Sequence, residues 1–280
     1  MQVERISSFS VSDTEGGNPA GVVLLEVFPS DAEMQACAAK VGYSETAFAH
    51  PHKDGWRVRY FAPIGEVGFC GHATIALGAA LANRFGSAAY PLYLNDYDIV
   101  VDAMQAAGKL SATLVSPPTS QNAPDAAFLD KALHVFGLGR DDLDPRITPI
   151  IADAGMRHLV LPLTSRAALA AMKYDMDEGR EIMAQENLIT VMLVHAENNQ
   201  MFHSRNPFAI GGVYEDPATG AASAAFGGYL NSLNWPHQGE INILQGEDMG
   251  MPSKINVKIS GPSGGPVFVG GQARFMESGA

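Results

Sequence analysis

The residues of this chain best suited to chemistry stand in two similar stretches and one separate acid. Cys70-Gly71-His72-Ala73-Thr74 and Asp216-Pro217-Ala218-Thr219-Gly220-Ala221 each open an Ala- and Gly-rich run with a turn former and polar side chains. Such runs predict helices. The first four amides of a helix lack internal partners, and its dipole favours negative charge there. A substrate carboxylate resting on those amides needs no Arg or Lys. The separate acid is Glu45, between Ser44 and the apolar Ala47-Phe48-Ala49. A carboxyl group in a partly apolar cleft has its charged form disfavoured, which moves its pKa toward the range useful for acid–base catalysis. On local sequence alone, a plain strand-end glutamate is the simpler reading.

The neighbouring residues each admit two roles. His72 fits a proton shuttle or substrate donor, and equally a local hydrogen bond at a helix start. Asp216 fits a second acid–base group or the N-cap of its helix. Cys70 precedes a helix N-terminus, where a thiolate is favoured, but free cysteine also packs well as a small core residue. The second stretch has no matching cysteine to act with it. Cys70→Ala is therefore expected to keep most activity. His50 and His52 flank Pro51 without a third ligand in register, so no metal site is expected.

The elements that must position these groups are mostly strands. Short β-branched or aromatic-rich segments bounded by Gly, Pro, Asn or Asp occur at 2–10, 21–27, 56–61, 92–103 and 109–115. Later ones are 147–151, 158–163, 188–195, 201–205, 241–245, 255–259, 267–269 and 273–276. Helices are predicted over 30–40, 72–84, 126–136, 165–173, 177–186 and 219–233. The first carries a capping box, Ser30 with Glu33, and Gly42 after its end. Strands and helices do not alternate regularly, which argues against a doubly wound parallel sheet. Residues 121–124, after Pro117-Pro118, are the most linker-like stretch.

An internal repeat organises the chain. Ala73-Thr74-Ile75-Ala76-Leu77-Gly78-Ala79-Ala80-Leu81 and Ala218-Thr219-Gly220-Ala221-Ala222-Ser223-Ala224-Ala225-Phe226 are identical at five of nine positions, 218 − 73 = 145 residues apart. Each copy follows a strand with an Arg and a Pro: Arg59 and Pro63, then Arg205 and Pro207. Either two Ala-rich helices resemble each other by chance, or the chain has two related halves. In the second case each half encloses a helix so tightly that its side chains must be small. If the halves face each other, the two helix starts converge on one cleft.

Bulk properties narrow the classes. The chain has 280 residues, 46% hydrophobic and 17% charged, with a formal net charge of -12. That is ordinary globular composition. Nucleic-acid binding needs a basic surface and is not expected. No apolar stretch approaches the ~18 residues of a membrane span. Met1 to Val11 lacks the pattern of a secretory signal, and two cysteines make no disulfide framework. A reduced, cytoplasmic protein is the simplest expectation.

Several segments together resemble the signature blocks of the phenazine-biosynthesis PhzF-like family. They are Gly17-Asn18-Pro19-Ala20-Gly21-Val22-Val23, Ser44-Glu45-Thr46-Ala47-Phe48, Arg59-Tyr60-Phe61-Ala62-Pro63, the run Glu66 to Thr74, and Glu215 to Gly220. The tail, Leu244 to Gly250 and Val269 to Ala273, fits as well, so the blocks run in order over nearly the whole chain. The resemblance implies an α+β, diaminopimelate epimerase-like fold of two pseudo-symmetric halves, each a β-barrel-like sheet around a central helix. The halves would be 1–118 with 266–280, and 119–265, with the active site in the cleft between them.

The same resemblance implies a cofactor-independent isomerase or epimerase, often a homodimer, that moves a proton on a small carboxylate-containing metabolite. Matched residue by residue, Glu45 is the general acid/base, with His72 and Asp216 as further catalytic groups. Asn18, Gly71, His72, Ala73, Gly220 and Ala221 bind substrate, and Cys70 is a further candidate. Two features depart from the phenazine-pathway enzyme: Ala221 stands where the family often has Ser, and Cys70 is present. Both point away from the phenazine substrate. The alternatives are a non-catalytic carboxylate-binding protein on the same scaffold and a Cys70-dependent hydrolase. For the latter, Cys70 and His72 two residues apart at a helix start are expected to make a poor nucleophile–base pair.

Overall fold

The small residues of the two repeated runs are required by what surrounds them. The computed structural model describes residues 1–277. In it the first run is a helix with every residue from His72 to Ala82 buried. A Cβ added at Gly78 would stand 2.8 Å from Val101 Cγ2 and 3.0 Å from Ala112 Cβ. In the second run a Cβ at Gly227 would stand 2.7 Å from Val257 Cγ1. Larger side chains would push strands off both helices.

The chain divides into two compact units, Met1–Val115 with the chain from Gly270 onward, and Ser116–Val269. The last three residues of the expected 266–280 segment lie outside the described residues. In chain order the first unit has β1 (Glu4–Ser8), β2 (Asn18–Leu24), α1 (Asp31–Val41), β3 (Thr46–His52), β4 (Gly55–Ala62) and β5 (Gly65–Val67). There follow α2 (Gly71–Phe85), β6 (Ala88–Tyr93), β7 (Asp98–Ala106) and β8 (Lys109–Val115). The second unit has β9 (Ser120–Asn122), α3 (Ala126–Val135), β10 (Ile150–Asp153), β11 (Arg157–Leu163), α4 (Arg166–Ala171), α5 (Met176–Gln185) and β12 (Thr190–Ala196). It ends with β13 (Met201–Phe208), β14 (Val213–Asp216), α6 (Gly220–Ser232), β15 (Glu240–Gln245) and β16 (Ser253–Lys258); β17 (Phe268–Phe275) then returns the chain to the first unit.

The first unit is a closed eight-stranded barrel. Its strands run β1-β2-β3-β4-β6-β7-β8-β17, and β17 pairs again with β1. Closure removes exposed sheet edges. The helix α2 lies against β1, β2, β3, β7 and β8. The short α1, with the capping box present, seats Met34 and Ala38 on Val23, Phe48 and Phe61.

The second unit repeats this topology. The pairs β1/β2, β2/β3, β3/β4, β4/β6 and β6/β7 alternate antiparallel, parallel, antiparallel, parallel, antiparallel. The pairs β10/β11, β11/β12, β12/β13, β13/β15 and β15/β16 follow the same order. The small strands β5 and β14 attach to β4 and β13, just before α2 and α6. The chain thus has two related halves, but their central helices correspond at the N-caps Cys70 and Thr219, 219 − 70 = 149 residues apart, about one helical turn off the 145-residue offset of the sequence repeat. In the second unit α3, α4 and α5 cover one sheet face, packing on Leu159, Leu161, Leu163, Val191 and Leu193.

Three sequence expectations need correction. The single strand at 92–103 is the hairpin β6–β7, because Asn95-Asp96 turns the chain and Leu94 N–H bonds Tyr97 O at 3.1 Å. The linker-like 121–124 begins inside β9, which pairs with β10 and supplies ladder partners to polar residues. The segments 267–269 and 273–276 lie on one strand, β17, since the intervening glycines do not break it. No helix among the described residues is long and apolar enough to cross a membrane.

Candidate active site

In the first unit three of the expected residues meet. Glu45 lies just before β3, held to the sheet where Gly21 N–H donates to Glu45 O at 3.2 Å. Cys70 is the extended N-cap of α2, and His72 is in the first turn. The reactive atoms of Glu45, Cys70 and His72 all lie within 4.8 Å of one another. His72 Nε2 stands 3.5 Å from Glu45 Oε2, and His72 Nδ1 stands 3.2 Å from Cys70 Sγ. His72 is 8% exposed, whereas the Glu45 side chain is 21% exposed and can meet a small molecule.

The supporting shell was not foreseen in the sequence. Ser44 Oγ lies 3.3 Å from His72 Nε2, and Ser8 Oγ donates to His72 O at 2.6 Å. Thr74 Oγ1 donates to Cys70 O at 2.7 Å, so the Tyr60 hydroxyl, 2.7 Å away, is the donor to Thr74. Burial holds the Tyr60 phenol well above its ordinary range and therefore neutral. This chain of hydroxyls fixes the helix start, and with it the amides of Gly71, His72 and Ala73. Asn18 opens β2, is buried, and pairs in register with Ser8. Gly17 before it has φ +89°, and a Cβ there would be 2.5 Å from Ser8 O. Only glycine suits that position.

The three grouped residues are also of metal-ligand type. However, the imidazole faces the thiol with one nitrogen and the carboxylate with the other. That geometry makes a hydrogen-bonded chain through the ring.

In the second unit the expected residues form a loop at the start of α6. Asp216 ends β14, and Oδ2 accepts from Thr219 Oγ1 at 2.6 Å. The N-cap of α6 is Thr219, which corrects the assignment of that role to Asp216. Asp216 instead braces the capping residue from three positions earlier. Gln245, fully buried, completes the brace: Oε1 accepts from Thr219 N–H at 3.1 Å, and Nε2 donates to Asp216 O at 2.7 Å and Thr219 Oγ1 at 2.9 Å. Gly220 and Ala221 are the first two residues of α6 and partly exposed.

The strand register aligns positions of the two halves. Phe48 pairs with Arg59, and Leu193 pairs with Arg205. Counting three residues back from each aligns Glu45 with Thr190. The N-caps align Cys70 with Thr219, and two residues on His72 aligns with Ala221. Thr190, Thr219 and Ala221 therefore stand where the first unit has Glu45, Cys70 and His72.

The proximity of Cys70 and His72 overturns the expectation of poor geometry for that pair. Two residues apart in sequence, they meet because the cap residue is extended (φ -145°), which turns its side chain toward the first helical turn.

Comparison with known proteins gives a consistent picture. The model of a family described as phenazine biosynthesis-like protein matches residues 7–279. An uncharacterized isomerase, YfhB, of Bacillus subtilis (strain 168) is 28% identical, with 99% of this chain and 97% of that protein covered. An uncharacterized isomerase of Deinococcus radiodurans is 30% identical over 94% of this chain and 89% of its own. Among solved structures, the fold matches a PhzF-family phenazine biosynthesis protein of Bacillus anthracis, with TM-score 0.85, 22% identity and 99% and 98% of the two chains covered. It also matches a probable proline racemase from Agrobacterium radiobacter K84, with TM-score 0.64, 12% identity and 99% and 92% covered. These structural matches establish the α+β racemase- and epimerase-like fold.

Proposed function

Because this chain belongs to the phenazine biosynthesis-like family, we propose that it is an isomerase or epimerase in which Glu45 moves a proton on a small carboxylate-bearing metabolite. The observation that carries the reading is the Glu45 carboxylate, partly exposed and 3.5 Å from His72 Nε2, beside the opening turn of α2. The relatives named as isomerases support the reaction class.

In this reading the substrate carboxylate rests on the amides of Gly71, His72 and Ala73. Glu45 removes a proton from a neighbouring carbon, alpha to the carboxylate or across an allylic system. The electron pair left behind spreads toward the carboxylate oxygens, where helix-end amides stabilise it. The reading assigns Asn18, Asp216 and the amides of Gly220 and Ala221 to the same reaction. It takes the protein as cofactor-independent, cytoplasmic and homodimeric.

The test is a screen of a carboxylate metabolite pool in heavy water, reading deuterium uptake by mass spectrometry. Wild type is expected to label a component of the pool, and Glu45→Gln to lose that labelling while keeping its fold and ligand binding. Labelling by Glu45→Gln at the wild-type rate removes Glu45 from the mechanism. A wild-type protein that binds a component without labelling it is a carboxylate-binding protein instead. The Cys70–His72 contact favours one second reading, a thiol-nucleophile hydrolase. A burst of acyl product, blocked by alkylation of Cys70, would establish it.

A further inference from the structure

The second unit carries a cleft that the proposed reaction does not use. It lies between the ends of α3 and α4, has a volume of about 240 Å³, and is lined by Phe136, Leu138, Asp142, Ala168, Met172 and Lys173 with small residues between them. That is below the ~300–1,000 Å³ of clefts for drug-sized ligands and suits one small metabolite. A Cβ at Gly137, after α3, would stand 3.9 Å from Lys173 O, so the two helix ends come close there.

The lining is apolar except for two groups of opposite charge. Asp142 is fixed from two sides: Oδ2 accepts from Gly139 N–H at 2.8 Å, and its carbonyl accepts from Thr164 N–H at 2.9 Å. Its other carboxylate oxygen, Oδ1, has no hydrogen-bond partner among the described residues. Lys173 follows Met172, the C-cap of α4. Neither Asp142 nor Lys173 belongs to an ion pair among the described residues.

We propose that this cleft binds an α-amino acid with an apolar side chain. The ammonium group donates to Asp142, the carboxylate pairs with Lys173, and the side chain rests on Phe136, Leu138 and Ala168. A zwitterion meets both charged groups at once, whereas an amine or an acid alone meets one of them. Charge-assisted hydrogen bonds supply the orientation, and burial of the apolar side chain adds to the affinity.

Binding there reaches the start of α6 through direct contacts. The carbonyl of Met172 accepts from Arg205 Nη1 at 2.9 Å, and that of Ala170 at 3.0 Å. Arg205 is paired with Glu215, the residue before Asp216. A ligand that fixes the end of α4 therefore also steadies Arg205, β14 and the loop from Asp216 to Thr219. The cleft is an effector site on this account. None of the residues assigned to proton transfer lines it, so the proposal stands apart from the isomerase reading.

Isothermal titration calorimetry with leucine, isoamylamine and 4-methylpentanoate tests the site. Leucine is expected to bind wild type about tenfold more tightly than 4-methylpentanoate, which lacks the ammonium group. It is expected to bind about threefold more tightly than isoamylamine, because Lys173 is exposed and its pairing is screened. Asp142→Asn can keep the Gly139 bond and is expected to weaken leucine binding about tenfold. Lys173→Met, an exposed position that folding tolerates, is expected to weaken it about threefold. No leucine binding at millimolar concentration overturns the proposal. So does wild-type affinity in both variants, which places leucine elsewhere on the protein. Equal affinity for isoamylamine or 4-methylpentanoate overturns the amino-acid class. Amide exchange at 216–221 is expected to slow in wild type saturated with leucine, and exchange that does not change overturns the link to α6.

Discussion

Arg205 on β13 and Glu215 on β14 form a buried ion pair, with Arg205 Nε donating to Glu215 Oε2 at 3.0 Å. Arg205 Nη1 also donates to the carbonyls of Ala170 and Met172, at 3.0 and 2.9 Å, at the end of α4. The first unit has the counterpart at its surface: Arg59 on β4 donates to Glu66 on β5 at 2.8 Å, and to Asp31 of α1. Each pair ties down the small strand that leads into a central helix.

The two pairs should differ in what they contribute. Removing one partner of a buried pair strands a charge and costs about 3–5 kcal/mol. Loss of a solvent-screened pair costs about 0–1 kcal/mol. Glu215→Ala is therefore expected to lower the urea midpoint strongly and Glu66→Ala slightly. Equal shifts would show that burial does not govern these pairs.

Gln245 should matter more than its distance in sequence from Asp216 suggests. Gln245→Leu leaves the Thr219 amide and the Asp216 carbonyl without the partners they have. Each buried polar group left unsatisfied costs about 1–3 kcal/mol. The variant is expected to melt earlier, and amide exchange at 216–221 is expected to quicken. Unchanged exchange there would deny Gln245 its bracing role.

His203 should make the protein less stable as pH rises. Burial lowers its pKa, but hydrogen bonds to Glu247 at 2.6 Å and Glu197 at 2.9 Å outweigh burial, and the net shift is upward. A folded-state pKa above the unfolded value gives stability that is full below the ordinary histidine range. That stability is lost as pH climbs through the folded pKa. His203→Gln is expected to flatten this limb of a stability–pH curve, which starts near the ordinary histidine value of about 6.5. A wild-type curve without such a limb counts against the assignment.

His158 should act in the opposite direction. It is fully buried beside Thr190, with Nδ1 2.8 Å from the Thr190 hydroxyl, and burial pushes its pKa down to about 3. The unfolded chain takes up a proton near 6.5 and the folded one does not. Stability is thus full above that pH and is lost as pH falls from there toward 3. His158→Asn is expected to soften acid unfolding in that window. A variant with the wild-type acid limb would place the cause elsewhere.

Much of this protein was legible from local sequence. Capping at Ser30 and Glu33, most β-branched runs and the Ala-rich helices depend on residues within a few positions of one another, and these appear in the structure. The repeat between 73–81 and 218–226 was enough to anticipate two enclosed helices, since small side chains at fixed spacing mean close walls. The blocks around Glu45, Cys70 and Asp216 pointed to the family. Where local patterns misled, a non-local partner was the reason: β9 exists because β10 pairs with it, whatever the Pro-rich run before it suggests.

What the tertiary structure alone decided is which atoms meet. Nothing in the sequence links Ser8 to the His72 carbonyl, Ser44 to its ring, or Gln245 to the 216–219 loop. Those contacts span 26 to 64 residues, and sheet register brings them together, not chain proximity. Even the near neighbours Cys70 and His72 needed the folded backbone, because the dihedral angles of an extended cap determine whether a thiol reaches an imidazole. Side-chain chemistry is written in residue types. Its geometry follows from the packing of β1, β3 and α2, which no single segment encodes.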